Sequence, residues 1–98
     1  MVAHGVFVYL PFLVTCGYLA EALRVAADGG YIAFDVLTEN CLDSETVQRW
    51  LASGEYYPCF FGKQYTIDFM ARAGCVLVSS FFNRKYGPGR SEYLVFRK

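Results

Sequence analysis

The sequence has no surplus of charge of either sign. Nine Lys and Arg residues balance nine Asp and Glu residues, and charged residues make up only 18% of the 98-residue chain. Since no basic stripe is present to neutralise phosphates, we do not expect nucleic-acid binding. The hydrophobic fraction of 55% is typical of a folded domain rather than of a disordered chain. We expect one small globular domain over residues 1–98, with apolar surface left exposed at an interface.

A metal-binding pattern is also missing. His4 is the only histidine, and no two cysteines form a C-x-x-C pair. We therefore expect neither a zinc site nor a disulfide framework, and the thiols are typical of a reduced cytoplasmic protein. The four cysteines are Cys16, Cys41, Cys59 and Cys75.

The start of the chain has no long hydrophobic run and no leader pattern. The segment from Met1 to Val14 is apolar, but Pro11 interrupts it and it contains no Lys or Arg. A membrane-spanning helix needs about 20 apolar residues, and a signal peptide needs a positively charged start. We therefore expect no membrane association and a cytoplasmic location.

The most informative stretch runs from Gly17 to Val36 and predicts a helix, a Gly-Gly turn and a buried strand. Apolar residues recur at helical spacing up to Ala26, and Gly29 and Gly30 follow, where a left-handed backbone suits glycine. The run Tyr31–Val36 is continuously apolar until Asp35. Such a run is typical of a strand that is covered on both faces, as in a parallel sheet.

This stretch resembles one part of the class I, Rossmann-like methyltransferases that depend on S-adenosylmethionine. In that family a helix with an E-x-x-R-V core leads through a G-G turn into the fifth strand. The family usually has a proline before the two glycines, where this chain has Asp28. The residues that match the pattern are Glu21, Arg24, Val25, Gly29 and Gly30.

The remaining segments fit the C-terminal half of the same family. A helix is expected from an N-cap at Asp43 through Ser53, with Val47, Trp50 and Leu51 as its apolar face. Another is expected from Lys63 to Ala73, with Tyr65, Phe69 and Ala73 on one apolar face and Met70 beside it. A strand at Cys75–Phe82, a turn at Gly87-Pro88-Gly89 and a strand at Ser91–Arg97 would form a closing hairpin. The resemblance implies that the last strand lies antiparallel between the strands at Tyr31–Val36 and Cys75–Phe82. We thus predict an α/β fold: a partial Rossmann-like sheet of three to four strands, a C-terminal antiparallel hairpin and two to three flanking helices.

The N-terminal segment resembles the end of the family's fourth strand. Ala3 to Phe7 would be that strand's end and the loop after it, and most of the strand would lie before Met1. Pro11 predicts an element boundary near Leu10, and Thr15 is a candidate N-cap for the next helix. The family's glycine-rich cofactor loop has no counterpart in these residues. The resemblance therefore implies S-adenosylmethionine as cofactor, but also a chain that is inactive alone.

Several residues are candidates for chemistry. The resemblance places His4 and Gly5 beside the cofactor, and His4 is a candidate general base; it could equally be an ordinary loop histidine. Asp35 ends a central strand, where ligands of open α/β sheets bind, but it could instead accept backbone hydrogen bonds. Aromatic side chains could line a substrate pocket through cation–π attraction, or simply form core. These are Tyr9, Tyr56, Tyr57, Phe60 and Phe61.

Three functional hypotheses remain open at this point. The chain could be the substrate-side half of a methyltransferase that acts on a small-molecule acceptor once an N-terminal half is supplied. It could be a non-catalytic interaction or assembly module with the same fold. It could also be a small-molecule binding module that uses the aromatic loop at residues 56–61. An unpaired sheet edge predicts a homo-oligomer or docking of a separate N-terminal half.

Overall fold

The computed structural model describes residues 1–54, 56, 58–83 and 90–98. In this part of the chain four strands form one mixed sheet in the order β1-β2-β4-β3. β1 runs parallel to β2, while β4 is antiparallel to both β2 and β3. β2 and β3 therefore run in the same direction with β4 between them, which confirms the predicted arrangement. The strands are Val2–Ala3 (β1), Tyr31–Val36 (β2), Val76–Asn83 (β3) and Ser91–Arg97 (β4).

Three α-helices connect the strands in the described residues. They are Phe12–Val25 (α1), Ser44–Ser53 (α2) and Lys63–Arg72 (α3), and short 3-10 helices lie at Phe7–Tyr9 and Glu39–Cys41. The predicted mixed α/β class is thus confirmed. The described residues form four strands and three α-helices, the upper end of each predicted range. α1 is the longest helix with 14 residues, and no helix in the described ranges has the length and apolarity to cross a membrane.

One face of the sheet carries the hydrophobic core. Ile32, Phe34 and Val36 of β2 alternate onto this face, and the register pairs them with Phe96, Leu94 and Glu92 of β4. All six side chains have at most 2% exposure. The core cluster also takes Leu19 and Leu23 from α1 and Met70 from α3, so both helices cover this same face.

The opposite face of the sheet is partly open, which corrects the prediction that β2 is covered on both sides. Tyr31 of β2 is 56% exposed, and Val76 and Phe81 of β3 are exposed to a similar extent. Ala33 remains half-buried. The apolar run therefore combines one core face with a second face on which Tyr31 is exposed, Ala33 is half-buried and Asp35 is buried.

Two details of α1 differ from the prediction. The helix begins at Phe12 after Pro11, so Thr15 is not its N-cap but a buried residue inside the first turns. Val25, although it belongs to the apolar residues at helical spacing, is 63% exposed because the helix ends there. Glu21 and Arg24 form an exposed ion pair.

The connections after α1 and around α2 follow their local signals closely. Gly29 has a φ of 80°, which favours glycine. Asp43 caps α2, since its Oδ1 accepts a hydrogen bond from the Thr46 backbone N–H at 2.8 Å. Gly54 ends the helix with a φ of 74°. The predicted glycine-proline turn at residues 87–89 lies outside the described residues.

The predicted apolar faces of α2 and α3 are only partly confirmed, since Trp50, Phe69 and Met70 pack against buried residues while others of the predicted sets are exposed. Leu51 of α2 is 61% exposed, and only Trp50 of the predicted set packs against buried residues. In α3 the buried positions are Thr66 and Met70, whereas Tyr65 is 43% exposed. Both helices are short, so packing against the sheet rather than periodicity decides which side is buried.

Candidate functional site

The candidate site lies where the parallel strands β1 and β2 reach their carboxyl ends. Two segments leave the sheet at this point: residues 4–10 after β1 and residues 37–41 after β2. β4 begins here because it runs in the opposite direction. In open α/β sheets this end is where ligands bind. Most of the sequence-predicted site residues are found around it.

Asp35 is the buried centre of the first polar group. Its carboxylate has no exposure, and each oxygen accepts one hydrogen bond. Oδ1 accepts from the Gly5 backbone N–H at 2.7 Å, and Oδ2 accepts from the Ser91 hydroxyl at 2.7 Å. Gly5 has a φ of 67°. The carboxylate thus fixes the turn after β1 to the start of β4. It accepts a backbone hydrogen bond, which was the alternative to ligand binding for Asp35.

His4 lies on the same face of the sheet, next to Asp35. Its Nδ1 shares a hydrogen bond with the Tyr93 hydroxyl, and the two rings stack with centroids 5.5 Å apart and planes 17° apart. Tyr93 is the cross-strand neighbour of Asp35 and stacks in turn on Phe81. The fold therefore brings His4, Gly5 and Asp35 together, although His4 and Asp35 are far apart in sequence.

The aromatic candidates are only partly gathered at this site. The Cys59 backbone N–H donates to the Val8 carbonyl at 2.7 Å, which fixes this segment beside the 3-10 helix that holds Tyr9. The Phe61 backbone N–H donates to the Leu37 carbonyl at 2.8 Å, just past the end of β2. The side chains then separate. Tyr9, Tyr56 and Phe60 are exposed, Phe61 belongs to the core, and Tyr57 lies outside the described residues.

A second polar group, centred on Glu92, was not predicted. Glu92 has 2% exposure and lies on the core face of the sheet, opposite the Asp35 side. Its Oε1 accepts hydrogen bonds from the Thr38 hydroxyl at 2.6 Å and the Asn40 amide at 3.3 Å. Its Oε2 forms an ion pair with the Lys63 Nζ at 2.6 Å. These contacts join the loop after β2 and the start of α3 to the start of β4.

The surroundings of Glu92 keep its carboxylate ionised. Burial by itself would raise the pKa of Glu92, but the hydrogen bonds from Lys63, Thr38 and Asn40 outweigh burial and hold the pKa below its ordinary value. The neighbouring Glu39 carboxylate accepts a hydrogen bond from the Lys63 backbone N–H at 2.9 Å, at the first turn of α3. This hydrogen bond therefore also holds the N-terminal end of α3, which carries the Lys63 cation.

The alternation of residues along β4 indicates that Glu92 faces the core. Glu92, Leu94 and Phe96 alternate along β4, so the carboxylate shares a face with two apolar side chains. A charged residue on a core-facing position requires a partner. The partners themselves lie 29 and 54 residues away, and no local rule identifies them.

A cysteine nucleophile is not supported at this end of the sheet. Cys41 is fully buried beside Thr38, with 3.6 Å between its Sγ and the Thr38 hydroxyl oxygen. Burial raises the pKa of the Cys41 thiol, and nearby hydrogen bonds offset this only in part. Burial also raises the pKa of Cys75. Both thiols are therefore protonated and weakly nucleophilic near neutral pH.

Asp35 and Glu92 are buried and already hydrogen-bonded within the protein, whereas His4 is exposed at this end of the sheet and its imidazole can accept or donate a proton. Within the ranges that the structure describes, no three His, Cys, Asp or Glu side chains are grouped so that they could hold a metal ion. Neither protein-family models nor curated proteins gave a match to the sequence.

Proposed function

We propose that this chain is the C-terminal, substrate-side half of a class I methyltransferase with a partial Rossmann-like sheet. The observation that supports the proposal is the strand order, in which β4 lies antiparallel between two strands of the opposite direction. The sequence resemblance implies the same insertion. Consecutive strands usually lie side by side, yet β2 and β3 are separated by β4, so this insertion is a specific feature of the fold.

The site geometry is compatible with a substrate-side role. His4 and Gly5 follow β1 directly, in the position that the resemblance assigns to the loop beside the cofactor and acceptor. Asp35 holds this loop through the Gly5 backbone N–H. In this proposal His4, oriented by Tyr93, takes the proton that a small-molecule acceptor loses, while Asp35 positions the loop rather than binding the acceptor.

The residues present do not make a complete site for S-adenosylmethionine. Gly5 offers a positive φ and no side chain, but its N–H is already bonded to Asp35. The sequence contains no glycine-rich turn between a strand and a helix. Methyl transfer by this chain alone is therefore not proposed, and a separate N-terminal half has to supply the cofactor loop.

The β1 edge is where this N-terminal half would dock. Among the described residues β1 pairs only with β2, so its outer edge is open. Val2 is 75% exposed and Met1 is 49% exposed beside it. A parallel strand added here would extend the sheet and cover both side chains.

Reconstitution tests the proposal. The polypeptide encoded immediately upstream of this chain would be co-expressed with it, and the purified complex titrated with S-adenosylhomocysteine while the isotope-labelled chain is followed by NMR. We expect a 1:1 complex in which the ligand shifts residues 4–10. Gly5→Val should weaken binding, whereas the matched Gly54→Val, which also replaces a glycine of positive φ, should not. A complex that forms but binds no ligand would contradict the proposal, as would an upstream region without a glycine-rich loop.

A further inference from the structure

We propose that two copies of this chain pair through the outer edge of β3 and form a continuous eight-stranded sheet across a two-fold axis. This interface is distinct from the β1 edge, which the proposed function assigns to an N-terminal half. It does not depend on the methyltransferase assignment.

Among the described residues, the outer edge of β3 has no strand partner from Val76 to Phe82. β3 spans the eight residues Val76–Asn83. It ends the strand order, and in the described part of the chain it pairs only with β4. An edge of this kind binds another extended strand through backbone hydrogen bonds. The β1 edge is much shorter, with only two strand residues.

The side chains of β3 lack the features that protect the edges of stable monomers. The strand sequence VLVSSFFN contains no charged residue and no proline, whereas protected edges usually carry lysine or proline. One irregularity between Leu77 and Ser79 interrupts its ladder with β4, and the register is continuous from Ser79 to Asn83. The exposed apolar side chains are Val76 at 59%, Val78 at 49%, Phe81 at 52% and Phe82 at 39%.

A second copy fits this edge better than an unrelated partner. An uncharged strand can lie antiparallel to itself without placing like charges opposite each other. Two-fold pairing uses the same surface on both subunits and closes after one step, as in most soluble homo-oligomers.

Sedimentation equilibrium over a wide concentration range tests the proposal. We expect a monomer–dimer equilibrium without larger species. Ser79→Lys places a charge on an exposed central position of β3, so two lysines would face each other across the axis. It should weaken dimerisation by at least about tenfold, and high salt should restore part of it. The matched control is Ser53→Lys at the end of α2, which is also exposed and should not change the equilibrium.

Hydrogen exchange of the unmodified chain provides a second test that needs no variant to fold. Amides of β3 should gain protection as concentration rises, while amides of the internal strand β2 should not change. A monomer at all concentrations would overturn the proposal. So would a dimer that Ser79→Lys leaves intact, or one whose concentration-dependent protection appears at β1 instead of β3.

Discussion

The ion pair between Lys63 and Glu92 gives the sharpest prediction about stability. Glu92 is nearly fully buried, and its carboxylate forms an ion pair with the ammonium group of Lys63. Lys63→Met keeps the length and most of the apolar stem of the side chain but removes the charge. The Glu92 carboxylate would then be buried without a counter-ion, which is costly in a medium of low polarity.

The magnitude follows from the geometry of the pair. Removing one partner of a buried ion pair costs about 3–5 kcal/mol. Lys63 keeps 26% of its side chain exposed, and Thr38 and Asn40 still donate hydrogen bonds to Glu92. We therefore expect the lower end, about 3 kcal/mol. At about 4–8 °C per kcal/mol for a domain of this size, Tm should fall by about 12–24 °C.

The pH dependence of unfolding gives an independent readout. The folded-state pKa of Glu92 lies below its unfolded value, so its contribution to stability is present above the unfolded pKa and is lost as pH falls through the folded pKa. In Lys63→Met the hydrogen bond and the charge of Lys63 no longer lower the pKa of Glu92, so this pKa should rise relative to that in the unmodified chain. The stability that Glu92 contributes above its unfolded pKa should then shrink, so the variant loses less stability than the unmodified chain on acidification.

Urea denaturation at several pH values measures both effects. The matched control is Arg49→Met, which removes the cation of an exposed pair at 2.5 Å from Glu45 and should cost less than about 0.5 kcal/mol. The double variant Lys63→Met/Glu92→Leu should recover most of the loss, because no unpaired charge remains. A Lys63→Met loss as small as that of Arg49→Met would refute the reasoning.

Three further predictions concern other positions. Asp35→Asn should cost about 2 kcal/mol of unfolding free energy, because an amide has one acceptor oxygen for two donors; a neutral effect in urea denaturation would mean that the carboxylate does not hold the turn. Gly54→Ala should destabilise by about 1–2 kcal/mol because its φ is 74°, whereas Gly17→Ala, helical and with open space around it, should stabilise by about 0.5–1 kcal/mol; equal effects on Tm would contradict the backbone argument. Alkylation of Cys41 in the native protein should be far slower than that of the half-buried Cys16 because burial excludes reagent and raises the Cys41 pKa; comparable rates by mass spectrometry would show that the site opens.

The sequence predicted the parts of the fold that depend on local signals. The bounds of β2 and β4 agree with the structure residue for residue, and α2 lies between the predicted Asp43 cap and Gly54. Caps, glycine turns and short apolar runs act over a few residues, so they can be recognised without tertiary contacts. The order of the strands came from the family resemblance and not from any local pattern.

Features that depend on distant contacts were not predictable in the same way. Helical spacing predicts Tyr65, Phe69 and Ala73 on the apolar face of α3, with Met70 beside it. In the structure Thr66 and Met70 are buried and Phe69 packs against the core, while Tyr65 is exposed. The Glu92 group needs residues from three separate segments, and the Asp35 contacts span 30 and 56 residues. Periodicity cannot identify such pairs, because many alternatives satisfy the same spacing.

The most direct test of the central claim is calorimetric titration with S-adenosylhomocysteine, carried out on the folded chain alone and on its complex with the N-terminal half. The proposal predicts no saturable binding by the chain alone and 1:1 binding by the complex, since the cofactor loop has to come from the other half. Saturable binding by the chain alone would contradict the claim that its site is incomplete. Failure of the folded complex to bind would contradict the methyltransferase assignment itself.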